Sequence, residues 1–219
     1  MKNAFLKDYM SDKYNFLLTG EVVLIASYPL FEAIDTRFPL IHMIFLAVLI
    51  PGLFAVIPFK AFLYAISLAI VSFILHVLAS MGFFAESIGQ KLEGSRLILN
   101  IIFCSVIIIC LIRSISSRQT ITTDIVKGGI SAYFLMALLW SLIYQLVLTF
   151  NPGAFANIEN GPTDCLYYSF ATLTTLGPGD ITPISTWAKF LAVLETFLGQ
   201  IYLATFIARL VALSILRER

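Results

Sequence analysis

Six long apolar segments, separated by short polar stretches, dominate the chain. Each approaches the roughly 20 mostly apolar residues that an α-helix needs to cross the hydrocarbon core of a membrane. The segments cover residues 15–34, 38–57, 59–83, 95–115, 128–150 and 187–212. Pro58 separates the second from the third, so we expect a very short connection there. The pattern predicts an all-α membrane protein with six transmembrane helices.

A seventh apolar stretch, from Cys165 to Leu176, is too short to cross a membrane. It is followed by Gly177-Pro178-Gly179-Asp180, which cannot continue a helix. A short helix followed by irregular backbone at membrane depth is tolerated only where protein or a water-filled cavity surrounds it. The stretch therefore predicts a re-entrant loop, and the chain contains it once.

Composition agrees with a membrane location. Hydrophobic residues make up 59% of the 219 residues and charged residues only 12%, about half the share of a soluble domain. The net charge of +1 gives no support for a nucleic-acid partner, so membrane lipid is the expected surrounding. Three cysteines, Cys104, Cys110 and Cys165, show no metal-ligand spacing. We expect neither an enzyme site nor a cofactor.

Basic residues predict the orientation. With the N-terminus in the cytoplasm, ten Lys and Arg residues fall on the cytoplasmic side and four fall outside, in agreement with the positive-inside rule. Residues 1–14 carry five charges and no cleavable signal, which predicts a cytosolic or interfacial N-terminal segment. Both termini are then cytoplasmic. Because Arg219 closely follows the last predicted span, no cytosolic ligand-binding domain is expected in cis.

Two glycines mark a candidate path for a cation. A dehydrated cation replaces its water shell with oxygen ligands, and a column of backbone carbonyls supplies them where successive residues alternate in handedness. Gly177 and Gly179 tolerate the positive φ that this alternation needs. Thr175 could add a hydroxyl at the inner mouth, and the C-terminal end of the preceding helix favours a cation there. One loop cannot enclose an ion, so four copies around an axis would complete the path.

The stretch Thr172-Leu173-Thr174-Thr175-Leu176-Gly177-Pro178-Gly179-Asp180 resembles the pore signature of the potassium-channel superfamily, T-x-T-T-x-G-[YF]-G-D. The family layout of outer helix, pore helix, filter and inner helix matches residues 128–212, and residues 191–211 are similar to the inner helices of small bacterial channels. The resemblance implies a homotetramer that conducts potassium ions passively across a cell membrane, the inner membrane of a bacterium.

The resemblance also implies a role for individual residues. The carbonyl-lined filter would consist of Thr175, Leu176, Gly177, Pro178 and Gly179, with potassium ions bound at the first four. Thr174 would lie at the foot of the pore helix. Asp180 would lie behind the outer filter, where Tyr167 could hold it. Gly199, followed by Gln200, stands where the inner helix of the family often has a glycine hinge.

Two positions depart from the family pattern. Pro178 replaces the filter aromatic; proline fixes φ near −65° and lacks an N–H, so the carbonyl path can survive while lateral support is lost. A potassium-selective filter and a weakly selective monovalent cation channel therefore both stay open. Ala171 stands where some relatives carry a glutamate behind the filter. Glu195 either serves instead or is an intramembrane acid paired within the helix bundle.

The first four spans, residues 15–116, are predicted to form a membrane domain ahead of the pore domain at residues 117–219. The fourth span has Arg96 and Arg113 at its ends and no charge between them, unlike the charged helix of a voltage sensor. We expect a peripheral scaffold and a channel that is not voltage-gated. The alternative from another class is a non-conducting membrane scaffold or regulatory subunit with a vestigial pore.

Several polar and aromatic residues within the spans have structural interpretations. Glu21, His42 and His76 are each expected to form a hydrogen bond with a neighbouring helix. Tyr residues near predicted membrane interfaces fit an aromatic belt together with Trp187. Those Tyr residues are Tyr14, Tyr28 and Tyr133.

Overall fold

The computed structural model describes residues 13–32, 59–80, 86–118, 120–159 and 161–217. Within these ranges the chain forms six helices and one pair of short strands. The helices are α1 (Lys13–Glu32), α2 (Phe59–Ser80), α3 (Glu86–Ser116), α4 (Thr123–Phe150), α5 (Gly161–Leu173) and α6 (Thr186–Arg217). A 3-10 turn at Pro152–Ala154 leads into β1 (Phe155–Ala156), and β2 (Thr182–Pro183) precedes α6. The span predicted at residues 38–57 lies outside the described residues.

Three of the described helices are long and apolar enough to cross a membrane. The spans are Ile88–Ser116 in α3, Thr123–Phe150 in α4 and Thr186–Ile215 in α6. The predicted spans at 15–34 and 59–83 coincide with α1 and α2, although the apolar part of α1 is shorter, Tyr14–Ser27. The chain is therefore a mostly helical, multi-pass membrane protein.

Helix α3 begins nine residues before the segment predicted at 95–115. Hydropathy marks only the apolar part of a helix, whereas the polar turns from Glu86 onward continue the same backbone hydrogen bonding. The Glu93 and Arg96 side chains form an ion pair one turn apart in this extension. The predicted boundary was therefore wrong for a physical reason: a polar surface on a helix end does not stop the helix.

Helix α4 is the common neighbour of the bundle. It contacts α1, α3, α5 and α6, while α2 packs on the far side of α3. The core between these helices consists of fully buried aliphatic side chains, among them Leu17, Leu24, Leu97, Leu111 and Leu135. The position of α5, which carries the candidate site, thus depends mainly on α4.

Buried polar groups connect α1 and α2 to this bundle. The Glu21 carboxylate on α1 is fully buried and lies 2.6 Å from the Ser131 hydroxyl on α4, the kind of contact that the sequence predicted. Between α2 and α3, the Ser72 hydroxyl donates to Asn100 at 2.6 Å. Residue His42 and the side chain of His76 lie outside the described part of the chain. Hydroxyl donors therefore link helices at membrane depth, where a free polar group would be costly.

Tyr14, which the sequence predicted in an interfacial belt, is buried against the ends of α3 and α4. Only 2% of this residue is exposed, and its hydroxyl lies 2.8 Å from the Ser114 hydroxyl at the end of α3. The ring therefore helps to join α1 to α3. All three cysteines are free thiols, with Cys104 and Cys165 buried and Cys110 partly buried.

Gly129 allows α6 to approach α4 closely. A methyl group at this position would lie 1.9 Å from the Phe206 ring of α6, far inside contact distance. The Tyr202 hydroxyl, one turn before Phe206, donates to the Gly129 carbonyl at 2.7 Å. The Tyr202 and Phe206 rings stack with centroids 5.8 Å apart, so the ring facing Gly129 is supported from behind.

We therefore expect Gly129→Ala to destabilise the folded protein by about 1–3 kcal/mol, the usual cost of overpacking. Gly89→Ala is the matched control, since Gly89 also lies in a helix and no atom of the described residues lies within 4 Å of a methyl group placed there. Alanine should raise helix stability at Gly89 by up to about 1 kcal/mol. Unfolding curves in detergent measure both changes. Equal stability of the two variants would show that the Phe206 contact is readily relieved.

Candidate functional site

Two short strands enclose the loop that follows α5. In antiparallel register Phe155 pairs with Pro183 and Ala156 with Thr182. The Asn157 side-chain amide donates to the Asp180 carbonyl at 2.8 Å. The segment after α4 therefore holds the chain where it returns from residues 174–180. The alternation pattern of the sequence did not predict these strands, because two-residue strands carry no detectable period.

The backbone of the candidate filter, Thr175–Gly179, alternates in handedness. Thr175, Gly177 and Gly179 have φ values of +59°, +54° and +81°, whereas Leu176 and Pro178 between them do not have positive φ. A backbone of this kind can present successive carbonyls along one path. The left-handed conformation costs a non-glycine residue roughly 1–2 kcal/mol, so Thr175 is locally strained. Strain of this kind clusters at functional sites.

The first residues after α5 bond back onto the end of that helix. The last four carbonyls of a helix have no partner further along the same helix. At α5 the Phe170 carbonyl accepts from the Thr174 amide at 3.0 Å and from its hydroxyl at 2.6 Å. The Ala171 carbonyl accepts from the amides of Leu176 at 2.8 Å and Gly177 at 3.3 Å. The start of the candidate filter is therefore tied directly to α5.

The other two of these last four carbonyls also contact the neighbouring helices α6 and α4. The Thr172 carbonyl accepts from the Thr175 amide at 3.0 Å and contacts the Thr196 hydroxyl of α6 at 3.4 Å. The Leu173 carbonyl accepts from the Tyr133 hydroxyl of α4 at 2.9 Å. The end of α5 is thus held by the filter segment, by α6 and by α4 at once.

Gly199 packs against this same helix end. A methyl group at Gly199 would lie 2.6 Å from the Leu173 side chain and 3.1 Å from its carbonyl oxygen. Helix α6 runs without interruption from Thr186 to Arg217, and Gln200 is exposed on it. The structure therefore shows Gly199 as a point of close packing between α6 and α5, while its role as a hinge stays a prediction.

Glu195 lies behind α5 and connects three helices. The residue is fully buried, and one carboxylate oxygen accepts from the Ser169 hydroxyl of α5 at 2.5 Å. The other oxygen accepts a short hydrogen bond from the Tyr144 hydroxyl of α4. The Ser169 hydroxyl also lies 2.8 Å from the Ala137 carbonyl. Glu195 is thus paired with hydroxyl groups inside the bundle, and its hydrogen bond with Ser169 connects α6 to α5.

An aromatic cluster fills the space between α4, β1 and α5. The Tyr144, Phe155 and Tyr168 rings meet edge to face, with centroids 5.1 to 5.4 Å apart. Beside this cluster is a cavity of about 220 Å³, lined by Tyr167, Tyr168, Ala171, Thr172 and residues 177–183. Pro178 is smaller than the aromatic residue of the pore signature, and Ala171 is smaller than the glutamate that some relatives carry, so the space next to the candidate filter is open.

Asp180 is held at the outer end of the candidate filter. Its carboxylate accepts a hydrogen bond from the Tyr167 hydroxyl and another, at 2.9 Å, from the Ile181 amide. The hydrogen bond from Tyr167 is the largest cause that lowers the pKa of the Asp180 carboxyl from its ordinary 3.8. The structure thus brings together two residues that the sequence placed near each other only by resemblance.

Sequence reasoning missed four residues that hold α5. Tyr133 was expected at a membrane interface, but its hydroxyl lies on the end of α5 in the bundle interior. Ser169, Tyr144 and Thr196 attracted no prediction at all. In the sequence these residues are recognisable only as polar residues within apolar segments. Polarity alone does not identify which residue on another helix each one contacts.

Comparison with known proteins agrees with this geometry. Residues 130–214, from α4 through α5 and the candidate filter to α6, match a protein-family model described as "Ion channel". A 54-residue segment is 37% identical to "Two-pore potassium channel 5" of Arabidopsis thaliana, covering 24% of this chain but only 13% of the plant protein. No solved structure matches the chain at a significant level.

We expect Tyr167→Phe to raise the pKa of Asp180 toward its ordinary value. A carboxyl whose pKa is lowered by folding stabilises the folded form above its unfolded pKa, and this stabilisation is lost as the pH falls through the folded pKa. Removing the Tyr167 hydroxyl should therefore lower the unfolding temperature above pH 3.8 and make the loss of stability on acidification below that pH smaller. Unfolding temperature measured as a function of pH detects the shift.

Asp180→Asn supplies the control for this measurement. In that background Tyr167→Phe should leave the acid limb unchanged, because the titrating partner is absent. A shift of equal size with and without Asp180 would show that Tyr167 acts through another group.

The geometry and the matches converge on α4, α5, the candidate filter and α6. They point to a channel and not to an enzyme. They support the potassium-channel superfamily as the relationship of residues 130–214.

Proposed function

We propose that the protein is a homotetrameric channel that conducts potassium passively through backbone carbonyls of Thr175, Leu176, Gly177, Pro178 and Gly179. The observation that carries this proposal is the left-handed backbone at every second residue, Thr175, Gly177 and Gly179. It occurs inside the segment that matches an ion-channel family. Alternating handedness is the backbone requirement for a column of carbonyl ligands that replaces the hydration shell of a cation.

Exposure on the single chain supports assembly around an axis. Residues Thr174 to Asp180 are all exposed, and Leu176 is 70% exposed. Only 11% of the apolar span of α6 is buried within the chain, against 39% for the spans of α3 and α4. Large apolar side chains cover α6, including Phe190, Val193 and Phe197. In the proposed tetramer, neighbouring copies cover part of this surface and bring four filter segments together.

The contacts around α5 support roles for the flanking residues. Thr174 bonds to the end of α5, and Tyr167 holds Asp180 at the outer end. Glu195 accepts hydrogen bonds from Ser169 of α5 and Tyr144 of α4. It would therefore be a paired intramembrane acid and would also support the pore helix α5 in place of the glutamate that some relatives carry. Gly199 and Gln200 mark the level at which α6 would bend during gating.

Charges in α3 support a channel that does not sense voltage. The Arg96 Nε donates to Glu93 at 2.9 Å, so the charge at the start of the fourth predicted span is already neutralised. No charged residue separates Arg96 from Arg113. With six spans in the membrane and both termini in the cytoplasm, α1 to α3 would act as a scaffold around the pore. The resemblance favours a bacterial inner membrane.

Flux through liposomes tests the carbonyl path. Gly177→Ala or Gly179→Ala should abolish potassium flux, because alanine at positive φ is penalised by roughly 1–2 kcal/mol in each of four chains. Gly161→Ala is the matched control: Gly161 also has positive φ, +38°, and open space for a methyl group, but it begins α5 away from the filter. This variant should still conduct.

The outcome also separates the two classes of function. Absence of potassium flux from the purified wild-type tetramer would favour the non-conducting scaffold or regulatory subunit. Wild-type flux that survives both filter substitutions would show that ions do not follow the backbone of residues 175–179.

Pro178 favours a second candidate, a weakly selective monovalent cation channel. The cavity of about 220 Å³ beside the filter shows that the space next to Pro178 is not filled within the chain. Selectivity depends on how many carbonyls hold the ion and how firmly their spacing is kept. A filter with less lateral support would discriminate less between potassium and sodium.

Pro178→Tyr should therefore raise the potassium-to-sodium permeability ratio. Tyrosine restores an aromatic ring and an N–H, and the cavity offers room, although overpacking could cost about 1–3 kcal/mol. Pro178→Ala is the control that restores the N–H without the ring. Reversal potentials in mixed potassium and sodium measure the ratio. A strongly selective wild type that neither substitution changes would mean that lateral support at residue 178 is dispensable.

A further inference from the structure

One carbonyl at the end of α5 contacts both neighbouring membrane helices. The Leu173 carbonyl accepts from the Tyr133 hydroxyl of α4 at 2.9 Å. The same oxygen faces Gly199 of α6 so closely that a methyl group there would lie 3.1 Å away. Leu173 is the last residue of α5, two residues before the left-handed Thr175. A displacement of the Leu173 carbonyl would therefore also displace the first residues of the proposed filter.

The ring of Tyr133 rests on α6. Its centroid lies 6.1 Å from that of Tyr202, and the two planes are 18° from parallel. Tyr202 stacks in turn on Phe206. Because Tyr202 is three residues after Gly199, both lie on one side of α6. Tyr133 thus touches α6 with its ring and α5 with its hydroxyl.

The hydrogen bonds after α5 show what this contact can control. The amides of Thr175, Leu176 and Gly177 donate to the carbonyls of Thr172 and Ala171, in the last turn of α5. The first three filter residues are therefore placed by the position of that turn. A displacement of the turn would change the spacing of the carbonyls that follow.

From these contacts we propose that Tyr133 is a positioning residue that fixes the inner end of the filter. Its hydroxyl holds the last carbonyl of α5, and its ring transmits the position of α6 at Tyr202 to that carbonyl. The inference rests on the proposed channel function for its effect on ion selectivity, but the structural effect can be measured separately.

The chain offers a matched pair of substitutions. Tyr133→Phe and Tyr202→Phe each remove one hydroxyl and keep both stacked rings. The Tyr202 hydroxyl donates to the Gly129 carbonyl at 2.7 Å, on α4 and not on α5. A general effect of losing one buried hydrogen bond should appear in both variants. An effect on the filter should appear only in Tyr133→Phe.

Two readouts on full-length protein in lipid test the proposal. Tyr133→Phe should change the potassium-to-sodium permeability ratio by about two- to tenfold, the range that one neutral hydrogen bond can produce. It should also accelerate hydrogen exchange of the amides of residues 174–177. Tyr202→Phe should leave both quantities at wild-type values. Equal behaviour of the two variants in both measurements would overturn the proposal.

The role of the ring has its own test. Tyr202→Leu removes the ring that supports Tyr133, whereas Tyr202→Phe keeps it. Leucine should accelerate exchange at residues 174–177, and phenylalanine should not. If the two substitutions give the same exchange rates, α6 does not act on the filter through Tyr133.

Failure of this inference is distinguishable from failure of the proposed function. A wild-type protein without potassium flux would refute the channel, and hydrogen exchange would still decide whether Tyr133 holds the end of α5. A conducting wild type with identical tyrosine variants would leave the channel intact and refute the role of Tyr133.

Discussion

A helix that ends inside a membrane leaves carbonyls that water cannot readily satisfy. Around α5, neighbouring residues donate hydrogen bonds to the carbonyls at the helix end. The following residues satisfy three of its last four carbonyls, those of Phe170, Ala171 and Thr172. Tyr133 of α4 satisfies the fourth, and Thr196 of α6 also contacts the Thr172 carbonyl. The hydrogen bonds that satisfy the helix end therefore also position the candidate filter. The same hydrogen bonds that remove unpaired carbonyls also set where the left-handed backbone begins.

Helix α4 carries most of the groups that make this arrangement possible. Tyr133 reaches the end of α5, Tyr144 reaches Glu195, and Ser131 reaches Glu21 on α1. In each case a hydroxyl on α4 bonds to an acceptor on another helix. Hydroxyl groups suit this task because they pair with carbonyls or carboxyls without introducing a second charge into the membrane. Gly129 complements them, since its missing side chain lets α6 come within reach.

The φ angles of the candidate filter are compatible with proline at residue 178. Positive φ is confined to Thr175, Gly177 and Gly179, and proline can adopt only negative φ. Pro178 therefore fits between two left-handed residues without changing the alternation. What proline changes is the surrounding space, because its ring is smaller than the aromatic side chain of the pore signature and its backbone has no N–H. Backbone geometry and lateral support are thus separate properties of the candidate filter.

The sequence by itself predicted the three membrane-spanning helices found in the described residues, the short α5 and the two glycines with positive φ, because hydropathy and the steric freedom of glycine are local properties. It missed the polar start of α3, the strand pair β1–β2 and the left-handed Thr175. It also misplaced Tyr133 at an interface. Only the tertiary structure decided which residues meet Leu173, Glu195 and Asp180. Such contacts depend on the rotation and crossing of helices distant in sequence, and a pattern along one chain does not encode the rotation of one helix against another.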